Sequence, residues 1–303
     1  MPSTKARIAL SIIIPTKDRP KLLDAAVRSV LDTLPQKNAE VIIVDDRSTP
    51  PVMETLQISD SHLRVIVNDA SAGASGARNF GVLQALGHRI LFLDDDDLML
   101  SGYPEWVCKQ DGDYGHSGIL KFRGFNSPNN MPRFKGGIGQ DLAGIRPFRH
   151  QAAGLGCGFW VDRSVFLKVG GIAEDIRINE DTDFSIKLLK LPLKGIKALH
   201  AGVMVRQHGG KADTLPHLTQ AASAAERASY FNTILTRHAD WIATRPDAAT
   251  FLLRRQLKML AKARDAKAAR QILASQIAKP YCLALTLYYA AECLSARVRR
   301  AKG

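Results

Sequence analysis

The stretch RILFLDDDD, Arg89–Asp97, carries the strongest indication of the fold. Its first five residues are mostly apolar, the pattern of a short strand that is buried on both faces. Four consecutive carboxylates follow, and they repel one another and disfavour a strand. The stretch therefore predicts a buried strand whose carboxyl end carries a concentrated negative charge.

Similar apolar runs precede this strand along the chain, and helical patterns separate them. Short apolar strands that alternate with helices of about ten to fifteen residues predict an α/β fold with a doubly wound, mostly parallel sheet flanked by helices. The predicted strands are Ile8–Ile14, Val41–Val44, Leu63–Val67 and Arg89–Leu93, and the predicted helices are Pro20–Leu34 and Ala77–Leu86.

Polar residues follow the predicted strands at the point where each strand ends. Thr16 and Asp46 come after the first and second strands, and Asp94–Asp97 come after the fourth. Such sheets bind ligands beyond the carboxyl ends of their strands, so we expect these side chains to converge. A divalent cation would relieve the repulsion within the acidic run, and carboxylate oxygens suit Mg²⁺ or Mn²⁺. A solvated turn or a helix cap is the alternative interpretation of the run.

Three further positions are candidates for a site. Arg78 lies near the start of a helix, where an anion binds favourably, although an exposed surface arginine explains it equally well. The segment Glu180–Asp183 begins another helix and could supply a general base, or it could only favour the helix dipole. His208 follows a strand-like segment and is either a metal ligand or a surface histidine.

Positive charge concentrates at the end of the chain. Twelve of the 42 Lys and Arg residues, but two of the 29 acidic residues, follow Leu253. The apolar stretch Tyr281–Ala291 with the arginines after it predicts an interfacial anchor for an anionic membrane, or a helix packed on the preceding domain. No recognition motif for nucleic acid is present. Scattered cysteines and the lack of a secretory signal pattern predict a cytoplasmic protein, peripheral at the inner face of the plasma membrane.

Five stretches, taken in order, resemble the family 2 glycosyltransferases. They cover about the first 210 residues and are SIIIPTKDR (Ser11–Arg19), VIIVDDRS (Val41–Ser48), GASGARNFGVLQALGHRILFLDDDD (Gly73–Asp97), VGGIAEDIRINEDTDF (Val169–Phe184) and VRQHGG (Val205–Gly210). The resemblance implies the GT-A fold, with a nucleotide-sugar-binding and catalytic domain at 1–212 and a basic helical extension at 213–303.

The resemblance also implies roles for individual residues. Asp181 would be the catalytic base, and Asp96 and His208 would hold Mn²⁺ or Mg²⁺. Asp97 would face the donor sugar or the acceptor, and the register of the metal-binding position within the acidic run stays open. The residues implied to bind the nucleotide sugar are Pro15, Thr16, Asp46, Arg78, Asp94 and Asp95.

The implied activity is an inverting transfer of a sugar from a nucleoside diphosphate sugar, and UDP-sugars are the commonest donors in the family. The implied acceptor is a glycan or glycolipid of the bacterial cell envelope, such as a polysaccharide or lipopolysaccharide precursor. Two alternatives stay open at this point. One is a nucleotidyltransferase, which would normally carry a glycine-rich loop after the first strand. The other is an inactive nucleotide-binding module that is tethered to a membrane.

Overall fold

The computed structural model describes residues 8–35, 38–124, 131–145, 147–207 and 222–301. The chain divides into two compact units. The first comprises Met1–Gly144, Ala153–Asp175 and Glu180–Gly210, and the second comprises Ile145–Ala152, Ile176–Asn179 and Lys211–Gly303. The roles predicted for 1–212 and 213–303 stay predictions.

A single sheet forms the centre of the first unit, in the order β3-β2-β1-β4-β8-β6-β9-β5, with β7 paired to β9. The strands are β1 (Leu10–Thr16), β2 (Ala39–Asp45), β3 (Leu63–Val67), β4 (Arg89–Leu93), β5 (Leu98–Met99), β6 (Tyr114–Phe122), β7 (Gln140–Asp141), β8 (Cys157–Asp162) and β9 (Gly195–Arg206).

Helices accompany the sheet and form most of the second unit. Those of the first unit are α1 (Pro20–Leu31), α2 (Val52–Thr55), α3 (Ala74–Gln84), α4 (Tyr103–Cys108), α5 (Arg163–Lys168) and α6 (Glu180–Leu189). Those of the second are α7 (Ala224–Arg237), α8 (Ala239–Ala243), α9 (Pro246–Ala263), α10 (Ala266–Leu273) and α11 (Cys282–Ala301). The predicted α/β fold with C-terminal helices is confirmed. Within the described part of the chain, none of the helices has the length and apolar character needed to cross a membrane.

The first four strands in sheet order are parallel, as their sequence pattern predicts. All seven residues of β1 and of β2 are buried, because helices cover both faces of this part of the sheet. Strand β1 runs two residues beyond the predicted end at Ile14, since Pro15 and Thr16 stay in register with Val44 and Asp45 of β2. The extension carries Thr16 to the edge where the strands end.

Beyond β4 in the sheet order, the strands are no longer all parallel. Strand β8 pairs with β4 in the antiparallel sense, with an irregularity between Leu91 and Leu93. Strands β6 and β9 then pair in parallel, and β5 and β7 run antiparallel to β9. The acidic run at the end of β4 therefore lies where the parallel half of the sheet meets the mixed half.

Candidate functional site

The carboxyl ends of β1, β2 and β4 meet at one edge of the sheet. The Thr16 hydroxyl donates a hydrogen bond of 2.6 Å to Asp95 Oδ2, and the Asp46 backbone N–H donates one of 2.9 Å to the Thr16 carbonyl. Both contacts join residues at the ends of neighbouring strands. The structure therefore brings together the three strand ends that the sequence predicts to converge.

Three carboxylates of the acidic run form a cluster at this edge. Oxygens of Asp94, Asp96 and Asp97 lie within 4.8 Å of one another. Asp96 and Asp97 are 8% and 3% exposed, and their neighbour Asp95 is 5% exposed. A solvated turn would leave these side chains in water, so that alternative interpretation is wrong. Hard oxygen donors at this spacing fit Mg²⁺ or Mn²⁺.

The electrostatics of the run favour a cation. Burial raises the pKa of Asp95 to about 7, against the opposing charge of Arg19. Burial, reinforced by the charges of Asp94 and Asp96, raises the pKa of Asp97 to about 9. Arg19 Nη1 lies 3.1 Å from Asp95 Oδ1 and 3.2 Å from Asp96 Oδ2. One guanidinium thus offsets part of the negative charge, and full ionisation of the cluster near neutral pH requires more positive charge.

The end of β9 holds Asp97 in place. The Arg206 backbone N–H donates a hydrogen bond of 2.8 Å to Asp97 Oδ1, and Arg206 Nε donates one of 2.8 Å to the Asp96 carbonyl. The guanidinium carbon lies 4.5 Å from the centre of the Phe122 ring. These contacts hold the third and fourth residues of the run in one conformation.

The two aspartates at the end of β2, Asp45 and Asp46, have different surroundings. Asp45 accepts hydrogen bonds from the backbone N–H groups of Ser48 and Val52, at 2.8 and 2.9 Å, and so stabilises the turn and the start of α2. Asp46 instead accepts hydrogen bonds from Asn68 Nδ2 at 2.7 Å and from the Gly73 backbone N–H at 2.8 Å. Asp45 thus stabilises local backbone structure, while Asp46 is oriented at the edge where the strands end.

Arg78 links the acidic cluster to the start of α6. Its Nη2 lies 2.5 Å from Asp94 Oδ1, and its Nη1 lies 3.5 Å from Glu180 Oε1. The Arg78 side chain is 5% exposed, so the alternative of an exposed surface arginine is wrong. A buried guanidinium between two carboxylates fixes both of them with charge-assisted hydrogen bonds.

The first turn of α6 places two carboxylates beside this arginine. Burial raises the pKa of Glu180 to about 7, although the charge of Arg78 opposes the shift. Asp181 is half-buried, and its Oδ1 accepts a hydrogen bond of 2.6 Å from the Thr182 backbone N–H. The adjacent pair combines one carboxyl that is oriented by an arginine with one that is anchored to its own helix.

Gly156, one residue before β8, lies directly against Asp94. An added Cβ would lie 2.0 Å from the carboxylate carbon and from both oxygens of Asp94. The Asp94 backbone N–H donates to the Gly156 carbonyl at 3.3 Å. The position therefore needs a glycine because Asp94 occupies the space that a side chain would fill.

The remaining predicted positions are less informative. Pro15 is buried within β1, and His208 lies outside the described residues. Sequence reasoning missed Arg19, Asn68, Gly156 and Arg206 as parts of the site. Asn68 and Arg206 each stand at the end of a strand, so the rule that found Asp46 could have found them. Arg19 and Gly156 carry no comparable local signal.

Comparison with known proteins identifies related chains and folds. The sequence model described as "Glycosyl transferase family 2" matches residues 11–166. The GalNAc(5)-diNAcBac-PP-undecaprenol beta-1,3-glucosyltransferase of Campylobacter jejuni is 39% identical over 97 residues, which are 31% of this chain and 31% of that protein. The first curated relatives are matched over 31% to 63% of their own length, less than two thirds in each case.

Two solved structures resemble the fold. The structure of S. aureus TarS 1-349 in complex with UDP-GlcNAc has a TM-score of 0.63 at 17% identity, over 95% of this chain and 89% of that one. The structure of GalNAc-T7 with UDP, GalNAc and Mn²⁺ has a TM-score of 0.56 at 17% identity, over 76% and 48% of the two chains. At such low identity, the likeness establishes the fold alone.

Proposed function

The chain belongs to glycosyl transferase family 2 and has the GT-A fold expected from its sequence, and we propose that it transfers a sugar from a UDP-sugar to a lipid-linked saccharide. The acceptor would be a precursor of a bacterial cell-envelope polysaccharide or lipopolysaccharide. The transfer would require Mn²⁺ or Mg²⁺ and would invert the configuration at the anomeric carbon.

The observation that carries this proposal is the junction of two groups of carboxylates. Asp94, Asp96 and Asp97 converge within 4.8 Å at the strand ends, and Arg78 joins the first of them to Glu180 beside Asp181. The cluster is suited to a cation and the diphosphate of a donor. The pair Glu180 and Asp181 at the start of α6 is suited to accept a proton from the acceptor hydroxyl. A donor site and a catalytic base would thus lie next to each other at one edge of the sheet.

On the donor side, we assign the nucleoside to the groove at the ends of β1 and β2. Asp46, oriented by Asn68 and the Gly73 backbone, would accept hydrogen bonds from the base, next to Pro15 and Thr16. Asp94 and Asp95 would contact the ribose and the donor sugar. Asp96 would hold the cation together with its neighbours in the cluster, and His208 stays a predicted ligand. A bound Mn²⁺ or Mg²⁺ would stabilise negative charge on the departing diphosphate.

On the acceptor side, Asp181 would take the proton of the attacking hydroxyl. The hydroxyl oxygen would form a bond to the anomeric carbon on the face opposite the diphosphate. The bond between that carbon and the diphosphate oxygen would break, and its electron pair would leave with UDP. A carboxylate that accepts the proton as the bond forms contributes typically 10²- to 10⁴-fold to such a rate.

The names of related proteins support the donor and acceptor classes. UDP-GlcNAc is bound in the TarS structure, and the Campylobacter relative acts on an undecaprenyl-diphosphate-linked saccharide. An acceptor of that class is held in a bilayer, which agrees with the proposed peripheral contact at the cytoplasmic face of the membrane.

The test combines a panel of UDP-sugars, Mn²⁺ and a polyprenyl-diphosphate-linked saccharide. We expect one donor to support transfer, and Asp181→Asn to lower turnover by about 10²- to 10⁴-fold while UDP affinity stays within about threefold of wild type. Asp111→Asn is the matched control, because the Asp111 side chain is fully exposed and pairs only with Lys194 among the described contacts.

Three results would contradict the proposal in different ways. Unchanged turnover of Asp181→Asn would remove that residue from the role of base. Binding of UDP with Mn²⁺ but no transfer across donors and acceptors would favour an inactive nucleotide-binding module. Release of pyrophosphate from a nucleoside triphosphate would instead identify a nucleotidyltransferase.

A further inference from the structure

The last helix, α11, exposes a row of large apolar side chains. Leu283, Leu287, Leu294 and Val298 are 77%, 65%, 62% and 55% exposed. At 100° per residue they lie within an arc of about 60°, along about 22 Å of the helix. We call these four residues the leucine face. A continuous exposed apolar row of this kind marks a surface that contacts another phase or molecule.

The opposite side of α11 packs within its own unit. Leu285 is 1% exposed, and the Tyr288 ring lies 5.5 Å from the guanidinium carbon of Arg254 on α9. Lys258 of the same helix lies 3.7 Å from Glu292 Oε1. These contacts fix the rotation of α11, so the leucine face points away from α9.

The part of the chain that carries the leucine face has a net positive charge. Asp265 and Glu292 are the two acidic residues after Leu253, against twelve Lys and Arg residues. Both have internal partners: Asp265 Oδ1 accepts the Ala268 backbone N–H at 2.8 Å, and Glu292 contacts Lys258. Arg297, exposed on α11, flanks the leucine face. The segment that carries the leucine face therefore combines an exposed apolar row with a net positive charge, and Arg297 supplies an exposed cation beside that row.

We propose that the leucine face docks on an anionic bilayer, with the apolar side chains at the boundary between headgroups and acyl chains and the basic residues on anionic lipids. Two copies of the tail would bring like charges together, which disfavours a second chain as the occupant. That the partner is a membrane rests in part on the lipid-linked acceptor proposed above. The surface itself is defined without reference to catalysis.

The test measures sedimentation of the full chain with vesicles, in the absence of donor and acceptor. We expect binding to vesicles of equal parts phosphatidylglycerol and phosphatidylcholine, and weak binding to phosphatidylcholine alone. Leu287→Ser with Leu294→Ser should weaken binding by about 10- to 100-fold, because two exposed leucines no longer enter the bilayer. Arg297→Glu should weaken binding to the anionic vesicles and have little effect on the neutral ones.

The matched control is Leu83→Ser with Leu86→Ser. These leucines are 57% and 67% exposed in the first unit, and their replacement should leave vesicle binding unchanged. A thermal melt of each variant checks that it folds. Failure of wild type to bind anionic vesicles would overturn the proposal. So would a dimer in solution that the Leu287/Leu294 variant dissociates while vesicle binding persists. Because no turnover is measured, vesicle binding can fail or succeed independently of the proposed transferase activity.

Discussion

Gly156→Ala tests the geometry of the acidic cluster with a single methyl group. The Gly156 backbone does not have a positive φ, so alanine is compatible with its conformation. The new Cβ would lie 2.0 Å from the Asp94 carboxylate, and ordinary contact begins at 3.4 Å. The carboxylate must therefore move by about 1.4 Å. A shift of that size is enough to break the 2.5 Å contact between Asp94 and Arg78.

The expected effect is a loss of cation-dependent UDP affinity. Disturbing a group that orients a metal site typically costs 10- to 100-fold in affinity, or about 1.4 to 2.8 kcal/mol. Isothermal titration with UDP, with and without Mn²⁺, measures the loss. Gly144→Ala is the control, because nothing lies within 4 Å of a Cβ added there.

A double-mutant cycle shows whether the methyl group acts through Asp94. Asp94→Ala removes the atoms that the new Cβ would meet, so Gly156→Ala should then have little further effect. Wild-type affinity in Gly156→Ala would refute the geometry. Additive losses in the double variant would mean that the methyl group disturbs something other than Asp94.

Two more predictions follow from the same site. Burial raises the pKa of Glu180 from its ordinary value of 4.5 to about 7. The stabilisation that the protonated Glu180 provides is therefore complete below about pH 4.5 and is lost as the pH rises through 7. Glu180→Gln should remove up to about 3 kcal/mol from the pH dependence of the free energy of unfolding, measured by urea unfolding without metal. An unchanged pH dependence in this variant would contradict the prediction. Asn68→Ala frees Asp46 from its 2.7 Å contact and should weaken UDP binding by about tenfold. The affinity for Mn²⁺ in the absence of UDP should not change. A parallel loss of Mn²⁺ affinity would argue against a role of Asn68 in binding the nucleobase.

The sequence predicts the parallel half of the sheet because its signals are local. In β4 and the acidic run, five mostly apolar residues are followed by four carboxylates, which specify a buried strand and a polar end without reference to the rest of the chain. Thr16 and Asp46 are placed by the same local pattern. The convergence of all three follows from a general property of parallel sheets.

The rest of the site depends on partners that are distant in sequence. The antiparallel pairing of β8 with β4 decides that Gly156 meets Asp94, and periodicity does not reveal which strand is the neighbour. Arg78 reaches Glu180 across 102 positions, so the burial of that arginine could not be read from its own helix. The local sequence pattern predicts which side chains stand at the ends of strands. Which residues those side chains contact is decided by the tertiary pairing of strands and helices.

The site is held together by contacts between residues that are far apart in sequence, and this affects the rate of folding. Thr16 and Asp95 are 79 positions apart, and Asp97 and Arg206 are 109 apart. Forming such loops is slow because the chain loses conformational entropy before the contacts are made. An unfolded or half-folded chain should therefore lack the contacts that orient the acidic cluster. Mn²⁺ is expected to retard unfolding of the finished protein and to leave the refolding rate almost unaltered.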